Sequence, residues 1–281
     1  YLMTGRRAFL DQLSAQAMWN IIMMWPVLRT PQGWAGRPGA DMIISDRGQV
    51  RGTAWGLRQL DNAAWIGPDD DPDAAAFREA VAGNWAWLRS QIPAWTAQQG
   101  EAHGRLPGAY PQGALPPWQQ DYMASTVAQA ARRGSEDARA FLAWMTNFLV
   151  GRFRAEGQGL PFNDGATYNL AIAPTEPNAR PFQTWSLIAE TTRERGWSNG
   201  DGFGRSVGDY VTLALQGLAQ VIDVLDMPEA REAYSRLIAA RAPHGRPVTL
   251  ARNPSQNILP RGVQRFPGRL RGCTPAAPAR S

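Results

Sequence analysis

The feature that most constrains the fold is an apolar stripe in the segment 208–225. Apolar side chains recur there at intervals of four and three residues: Val211, Leu215, Leu218, Ile222 and Leu225. This spacing places them on one face of a helix. Segments 49–65 and 118–132 are also apolar and carry few charges, as expected of helices that are contacted on several sides. Each of the three segments is followed by a turn and a more highly charged helical segment. The repeated unit of inner helix, turn and outer helix predicts an all-α fold of antiparallel helical hairpins with long loops.

Helix start signals mark the turns of these hairpins. Asp71 precedes Pro72 and Ser135 precedes two acidic residues, and both patterns are typical of a helix N-terminus. The helix predicted after Thr4 has no inner helix before it, so we expect a chain truncated at its N-terminus. Loops rich in Gly and Pro separate the hairpins at 29–47, 99–117 and 156–181, and short strands are compatible with the sequence at 42–45 and 168–172.

The basic charge of the chain is concentrated at its C-terminal end. All 29 basic residues are Arg, and with 24 acidic residues they give a net charge of +5. Residues 241–281 hold eight Arg and no Asp or Glu, so the first 240 residues carry a net charge of −3. We therefore predict a helical-hairpin domain at 1–240 and a basic Pro-, Gly- and Arg-rich tail at 241–281. The tail is either a solvated extension or an attachment point for an anionic partner.

Composition excludes several classes of site. One Cys and two His leave no disulfide framework within the chain and no multi-cysteine zinc site. The aspartates at 69, 71 and 73 resemble a calcium loop, but Ala74 and Ala80 stand where that loop needs Gly and Glu. We expect no metal and no cofactor. The longest apolar run, 17–28, falls short of the roughly 20 residues that span a bilayer, so we expect no membrane span.

The order of the hairpins resembles the (α/α) toroid fold that glycoside hydrolases and polysaccharide lyases use widely. The resemblance covers about residues 1–240 and rests on hairpin order, on the turn-like start at residues 1–11 and on the segment from Arg51 to Arg58. Terpene cyclases and prenyltransferases also have toroids, but the chain lacks the aspartate-rich metal motif of the cyclases. The resemblance implies a complete or open toroid whose ligand lies over the ends of the inner helices, beneath the loops.

The first turns of the three inner helices supply the candidate site residues. An Asp-Tyr pair occurs twice, and paired carboxylates suit glycoside hydrolysis while Tyr or His with Arg suits β-elimination from a uronic acid. The predicted acid and base residues are Asp121, Tyr122, Asp209, Tyr210 and, from a loop, His103. The predicted substrate-binding residues are Arg51, Trp55, Trp118, Asp164, Tyr168 and Asn169. The alternatives are that the two aspartates favour helix N-termini and that a turn explains Asp164.

These residues lead to an expected function of glycan binding and glycan cleavage, by a polysaccharide lyase or a glycoside hydrolase. Three tryptophans predicted in or beside loops, Trp34, Trp95 and Trp118, provide faces for stacking on sugar rings. The alternative function is a non-catalytic structural or interaction domain of a larger surface or particle protein. The expected partner is a polysaccharide or oligosaccharide, or other chains of an assembly. Nucleic acid is not expected because no folded nucleic-acid-binding motif is present. A glycan-active protein would be periplasmic or extracellular.

Overall fold

The computed structural model describes residues 1–28, 48–108, 110–176, 179–200 and 210–241. This part of the chain is mostly helical and confirms the predicted all-α class. Its helices are α1 (Arg7–Leu28), α2 (Val50–Ile66), α3 (Pro72–Gln99), α4 (Pro117–Arg132), α5 (Glu136–Leu149), α6 (Trp185–Glu194), α7 (Tyr210–Leu225) and α8 (Pro228–Arg241). Two short strands, β1 (Ala114–Leu115) and β2 (Leu170–Ala171), pair antiparallel, with Ala114 opposite Ala171.

Two of the predicted helix starts are made by side-chain caps. The Asp71 carboxylate accepts a hydrogen bond from the backbone N–H of Asp73 at 2.9 Å, and Pro72 occupies the first turn of α3. The Ser135 hydroxyl accepts a bond from the backbone N–H of Ala138 at 3.2 Å at the start of α5. Each cap satisfies a backbone donor that has no partner within its helix. Asp71 is therefore the N-terminal cap of α3, as its position before Pro72 predicts.

The inner helices α2, α4 and α7 run side by side in the same direction. Near the N-terminal ends of α2 and α4, the backbone N–H of Arg51 donates to Gln119 at 2.9 Å. Three turns further along α2 and α4, the Gln129 amide donates to Asp61 at 3.0 Å. Between α4 and α7, the rings of Trp118 and Tyr210 are adjacent at the N-terminal ends, and Arg132 bonds Gln220 towards the C-terminal ends. The three helix N-termini therefore lie at one end of the domain.

The outer helices α3, α5 and α8 follow the inner helices and pack against them. Helix α3 contacts α2 and α5, α5 contacts α4 and α7, and α8 contacts α7. The apolar core lies between the two layers, and the fully buried Trp85, Leu88, Phe141 and Met145 belong to it. The burial of each such side chain stabilises the fold by about 1.5–3 kcal/mol. The loop between α3 and α4 contributes β1, and the loop between α5 and α6 contributes β2.

Helix α6 is absent from the sequence predictions. Thr184 caps its N-terminus, with the hydroxyl accepting from the backbone N–H of Leu187 at 3.3 Å. Trp185, Ile188 and Thr192 form its buried face, and the Thr192 hydroxyl accepts from the backbone N–H of Ala171 in β2. A second, smaller apolar cluster forms beneath α6. The helix thereby holds the loop that carries β2 onto the end of α5.

Among the predictions for the loop tryptophans, the short strands and the tail, one is wrong, one is confirmed and three are untested. Trp95, predicted in a loop, lies within α3 and is buried, because α3 continues through Pro93 to Gln99. The strand compatible with 168–172 is present as β2. Trp34, the segment 42–45 and residues 242–281 lie outside the described residues.

Candidate functional site

Five aromatic rings meet at the N-terminal ends of the inner helices. We call this group the aromatic cluster; it consists of Trp55, Trp118, Tyr122, Tyr168 and Tyr210. The ring of Trp118 is 5.7 Å from Tyr210 and 6.3 Å from Tyr122. Tyr122 in turn lies edge-on to Trp55 at 5.8 Å, and Tyr210 lies 5.2 Å from Tyr168. The cluster thus joins α2, α4, α7 and the loop before β2 into one aromatic surface.

Helical spacing explains why these side chains share one face. Arg51 and Trp55 are four residues apart on α2, and Trp118 and Tyr122 are four residues apart on α4, so each pair projects in one direction. Trp55 is 46% exposed and Tyr168 is 50% exposed. Their rings are therefore within reach of a ligand from solution.

Arg51 places a positive charge against this surface. Its guanidinium carbon lies 5.7 Å from the centre of the Trp55 ring and 5.6 Å from that of Trp118, within cation–π range. The Tyr110 hydroxyl receives the backbone N–H of Val50 and donates to Gln119, which fixes the start of α2 against α4. Burial raises the pKa of Tyr110 to about 12, so this hydroxyl remains protonated. Arg51 has no carboxylate partner among the described residues.

Asp121 does not face the aromatic cluster. Its side chain is 2% exposed, and both carboxylate oxygens accept bonds from Arg152 Nη2, at 2.6 and 2.9 Å. Burial raises the pKa of Asp121 to about 6, and the charge and hydrogen bond of Arg152 oppose that rise. Because Asp121 is buried and paired, its oxygens are not available to a ligand in the cluster. The predicted pairing of Asp121 with Asp209 in one cleft has no counterpart, and Asp209 lies outside the described residues.

The other predicted site residues lie in different surroundings. His103 is at the C-terminal end of α3, where Nδ1 is 2.9 Å from the Gly100 carbonyl and the ring lies near Trp144. Asp164 is buried and accepts bonds from the Ser198 hydroxyl and the Asn199 backbone N–H. These bonds join the short 3-10 helix Phe162–Ala166 to Ser198 and Asn199, which lie 34 and 35 residues further along the chain.

Of the loop residues, Tyr168 joins the aromatic cluster and Asn169 follows it, half-buried. Desolvation raises the pKa of Tyr210, and the neighbouring Tyr168 hydroxyl raises it further. The Tyr210 hydroxyl is therefore a donor at neutral pH. The structure thus brings together six of the predicted residues: Arg51, Trp55, Trp118, Tyr122, Tyr168 and Tyr210.

A polar pocket that the sequence analysis missed lies further along the same three helices. We call it the arginine–glutamine pocket; its volume is about 330 Å³, and it is lined by Arg58, Ser125, Gln129, Arg132, Arg133, Gln216 and Gln220. The signal was present in the sequence, since Arg58 follows Arg51 by seven residues and Ser125 follows Trp118 by seven. Residues seven apart share one helix face.

The arrangement combines an aromatic surface with a cationic polar pocket. Among the described residues, no three His, Cys, Asp or Glu side chains lie close enough together to hold a metal ion. In the same part of the chain, no helix is both long and apolar enough to cross a membrane. The aromatic surface suits a hydrocarbon, and the pocket suits an anion.

Comparison with known proteins bears on the expected function. No family model matches the sequence, and no solved structure matches the chain. The chain is similar to a drimenyl diphosphate synthase from Streptomyces showdoensis, with 27% identity over 151 residues. The match covers 51% of this chain and 28% of that protein, so the chain spans less than a third of the relative's length.

This similarity corrects the function expected from the sequence. A relative named as a diphosphate synthase points away from glycan cleavage, so the prediction of a polysaccharide lyase or glycoside hydrolase is wrong. The alternative of a structural domain in a larger surface or particle protein gains nothing from a relative named as an enzyme. The acid and base roles given to Tyr122, Tyr210 and His103 belong to glycan cleavage and are not carried further.

Proposed function

We propose that this chain is an isoprenoid-diphosphate-binding domain of a terpene synthase, and that the hydrocarbon part of the ligand lies on the aromatic cluster. The observation that carries the proposal is the cluster itself, five rings from three helices and a loop meeting at one end of the domain. The name of the relative supports the ligand class, a diphosphate ester of a hydrocarbon.

The physical basis of binding is the burial of apolar surface. Each Å² of hydrocarbon surface removed from water contributes about 25 cal/mol, and aromatic faces add dispersion contacts. Tyr168 and Tyr210 are available for these contacts, because Arg51 lies against Trp55 and Trp118. The charge of Arg51 also favours a ligand that carries an anionic group nearby.

We also propose that the hairpins form part of an (α/α) toroid. Three adjacent inner helices run in parallel, and each is followed by an outer helix, which is the order expected of a toroid. The aromatic cluster lies at the inner-helix ends, where the resemblance implies a ligand. Toroids of terpene cyclases share that architecture.

The test is a titration of the chain with farnesol and with a non-hydrolysable thiolodiphosphate analogue of farnesyl diphosphate, followed by calorimetry. Tyr168→Ala removes one exposed ring of the cluster, and Trp19→Ala is the control because Trp19 is an exposed aromatic residue on α1, outside the cluster. We expect Tyr168→Ala to weaken binding about tenfold, or 1.4 kcal/mol. Equal affinities for the wild type and Tyr168→Ala, or no binding of either compound, would refute the proposal.

A further inference from the structure

The arginine–glutamine pocket lies on the same face of the inner helices as the aromatic cluster. Arg58 is two helical turns beyond Arg51, a distance of about 10 Å along the axis of α2. The Ser125 hydroxyl donates to the backbone carbonyl of Tyr122 at 3.0 Å, so the pocket begins one turn beyond the cluster. A ligand that extends along the inner helices from the cluster would therefore reach the pocket.

The charges of the pocket are unevenly compensated. Arg133 bonds Asp61 and Asn62, and Arg132 reaches Gln220 and Asp223. Both of these arginines therefore have a carboxylate partner.

Arg58 has no carboxylate partner in the part of the chain that the structure describes. Its Nη2 donates to Ser125 Oγ, and its buried Nε has no hydrogen-bond partner there. Desolvation lowers the pKa of Arg58, which reflects a guanidinium held away from water without a counter-charge. A partly buried cation of this kind is stabilised by an anion that supplies the missing acceptors.

Neutral donors complete the lining. Gln216 on α7 is buried at the pocket, and Gln129 and Gln220 approach from α4 and α7. The guanidinium groups from α2 and α4 and the Gln216 and Gln220 amides from α7 line one volume of about 330 Å³, while the Gln129 amide donates to Asp61 and Asn62. That donor set matches a multiply charged oxyanion.

We propose that the arginine–glutamine pocket binds the diphosphate group of the isoprenoid ligand, with Arg58 as its principal contact. This inference rests on the proposed function, and it adds the direction in which the ligand lies. The hydrocarbon occupies the N-terminal ends of the inner helices, and the diphosphate lies about two turns towards their C-terminal ends.

The experiment separates the head group from the hydrocarbon. Inorganic pyrophosphate, farnesol and the thiolodiphosphate analogue are each titrated into the full chain in buffer containing EDTA, so that binding of the anion depends on protein donors. The variants are Arg58→Gln and Gln216→Leu. Arg89→Gln is the control, because Arg89 is an exposed arginine that pairs with Asp137 on the outer helices.

We expect Arg58→Gln to weaken pyrophosphate and analogue binding at least tenfold and to leave farnesol binding unchanged. Gln216→Leu should weaken the two anions several-fold, and Arg89→Gln should change nothing. If Arg58→Gln does not fold, Gln216→Leu still decides the outcome.

Absence of pyrophosphate binding, together with unchanged analogue binding in both pocket variants, would overturn the inference while the proposed function stood on farnesol. Pyrophosphate binding that depends on Arg58, without any farnesol binding, would support the anion site and refute the hydrocarbon proposal. The two failures are thus distinguishable.

Discussion

Two fully buried arginines are predicted to respond in opposite directions when each is replaced by Met. Arg105 is 1% exposed and Arg152 is 0% exposed. Arg152 is bonded to the Asp121 carboxylate. Arg105 has no carboxylate partner among the described residues; Nη2 donates to the Phe182 carbonyl at 3.3 Å, while Nε and Nη1 have no partner there.

The magnitude for Arg105 follows from its surroundings. Burial lowers the pKa of this guanidinium from 12.5 to about 9. A depressed pKa means that the charged form is penalised throughout the range below pH 9, by about 5 kcal/mol at neutral pH. Arg105→Met removes that penalty but leaves the Phe182 carbonyl without its donor, which costs about 1–3 kcal/mol. We therefore expect Arg105→Met to raise the free energy of unfolding by about 2–4 kcal/mol.

Arg152→Met is the matched contrast. It leaves the buried Asp121 carboxylate without its cation, which costs about 3–5 kcal/mol. Both variants are measured by urea denaturation at pH 7.5, followed by circular dichroism. Surface substitutions usually change the free energy of unfolding by less than about 0.5 kcal/mol. If Arg105→Met lowered it by more than about 1 kcal/mol, the reasoning would be refuted.

Three further predictions concern pH, capping and close packing. Arg152 lowers the pKa of Asp121, so Arg152→Met should raise that pKa above about 6. The buried Asp121 side chain then stays protonated, and therefore uncharged, to a higher pH. The free energy of unfolding that Arg152→Met removes should accordingly be smaller at pH 5 than at pH 7.5 in the same urea assay. Asp71→Ala removes the cap of α3 and should lower the free energy of unfolding by about 1 kcal/mol. At Gly217, an added Cβ would lie 2.6 Å from Asp121 Oδ1, so Gly217→Ala should lower the thermal midpoint through overpacking. Gly83→Ala, on α3 with nothing within 4 Å of the added Cβ, should raise it.

The helical layers follow from local patterns in the sequence. The spacing of Val211, Leu215 and Leu218 predicts a single helix face, and all three residues are buried in α7. The caps at Asp71 and Ser135 predict helix starts because a short side-chain acceptor at that position acts locally. Such predictions succeed because neither the helix face nor the cap depends on distant contacts.

Tertiary contacts determine what the sequence patterns miss. Helix α3 continues through Pro93, where the residue type alone favours a break, because Trp95 beyond it packs against Trp144 of α5. Helix α6 has a cap and a buried face, but it is only ten residues long and follows a long Gly- and Pro-rich loop, so the sequence pattern did not predict it.

In the candidate site too, local spacing predicts which residues share a helix face, but it does not predict their distant partners. Helical spacing places Trp118 and Tyr122 on one face, and it places Asp121, one residue earlier than Tyr122, about 100° away around the helix. The burial of Asp121 is thus compatible with the sequence, but its partner Arg152 is 31 residues distant and comes from a separate element. The aromatic cluster by itself suits sugar rings and hydrocarbons equally. The choice of a hydrocarbon ligand therefore depends on the similarity to the diphosphate synthase.

The most direct test of the central proposal is a structure of the chain with the thiolodiphosphate analogue of farnesyl diphosphate. We expect its hydrocarbon carbons to lie within about 4.5 Å of Tyr168 and Tyr210, the contact range of apolar groups. We expect its phosphorus atoms to lie at Arg58. A hydrocarbon bound away from the aromatic cluster would contradict the proposed function.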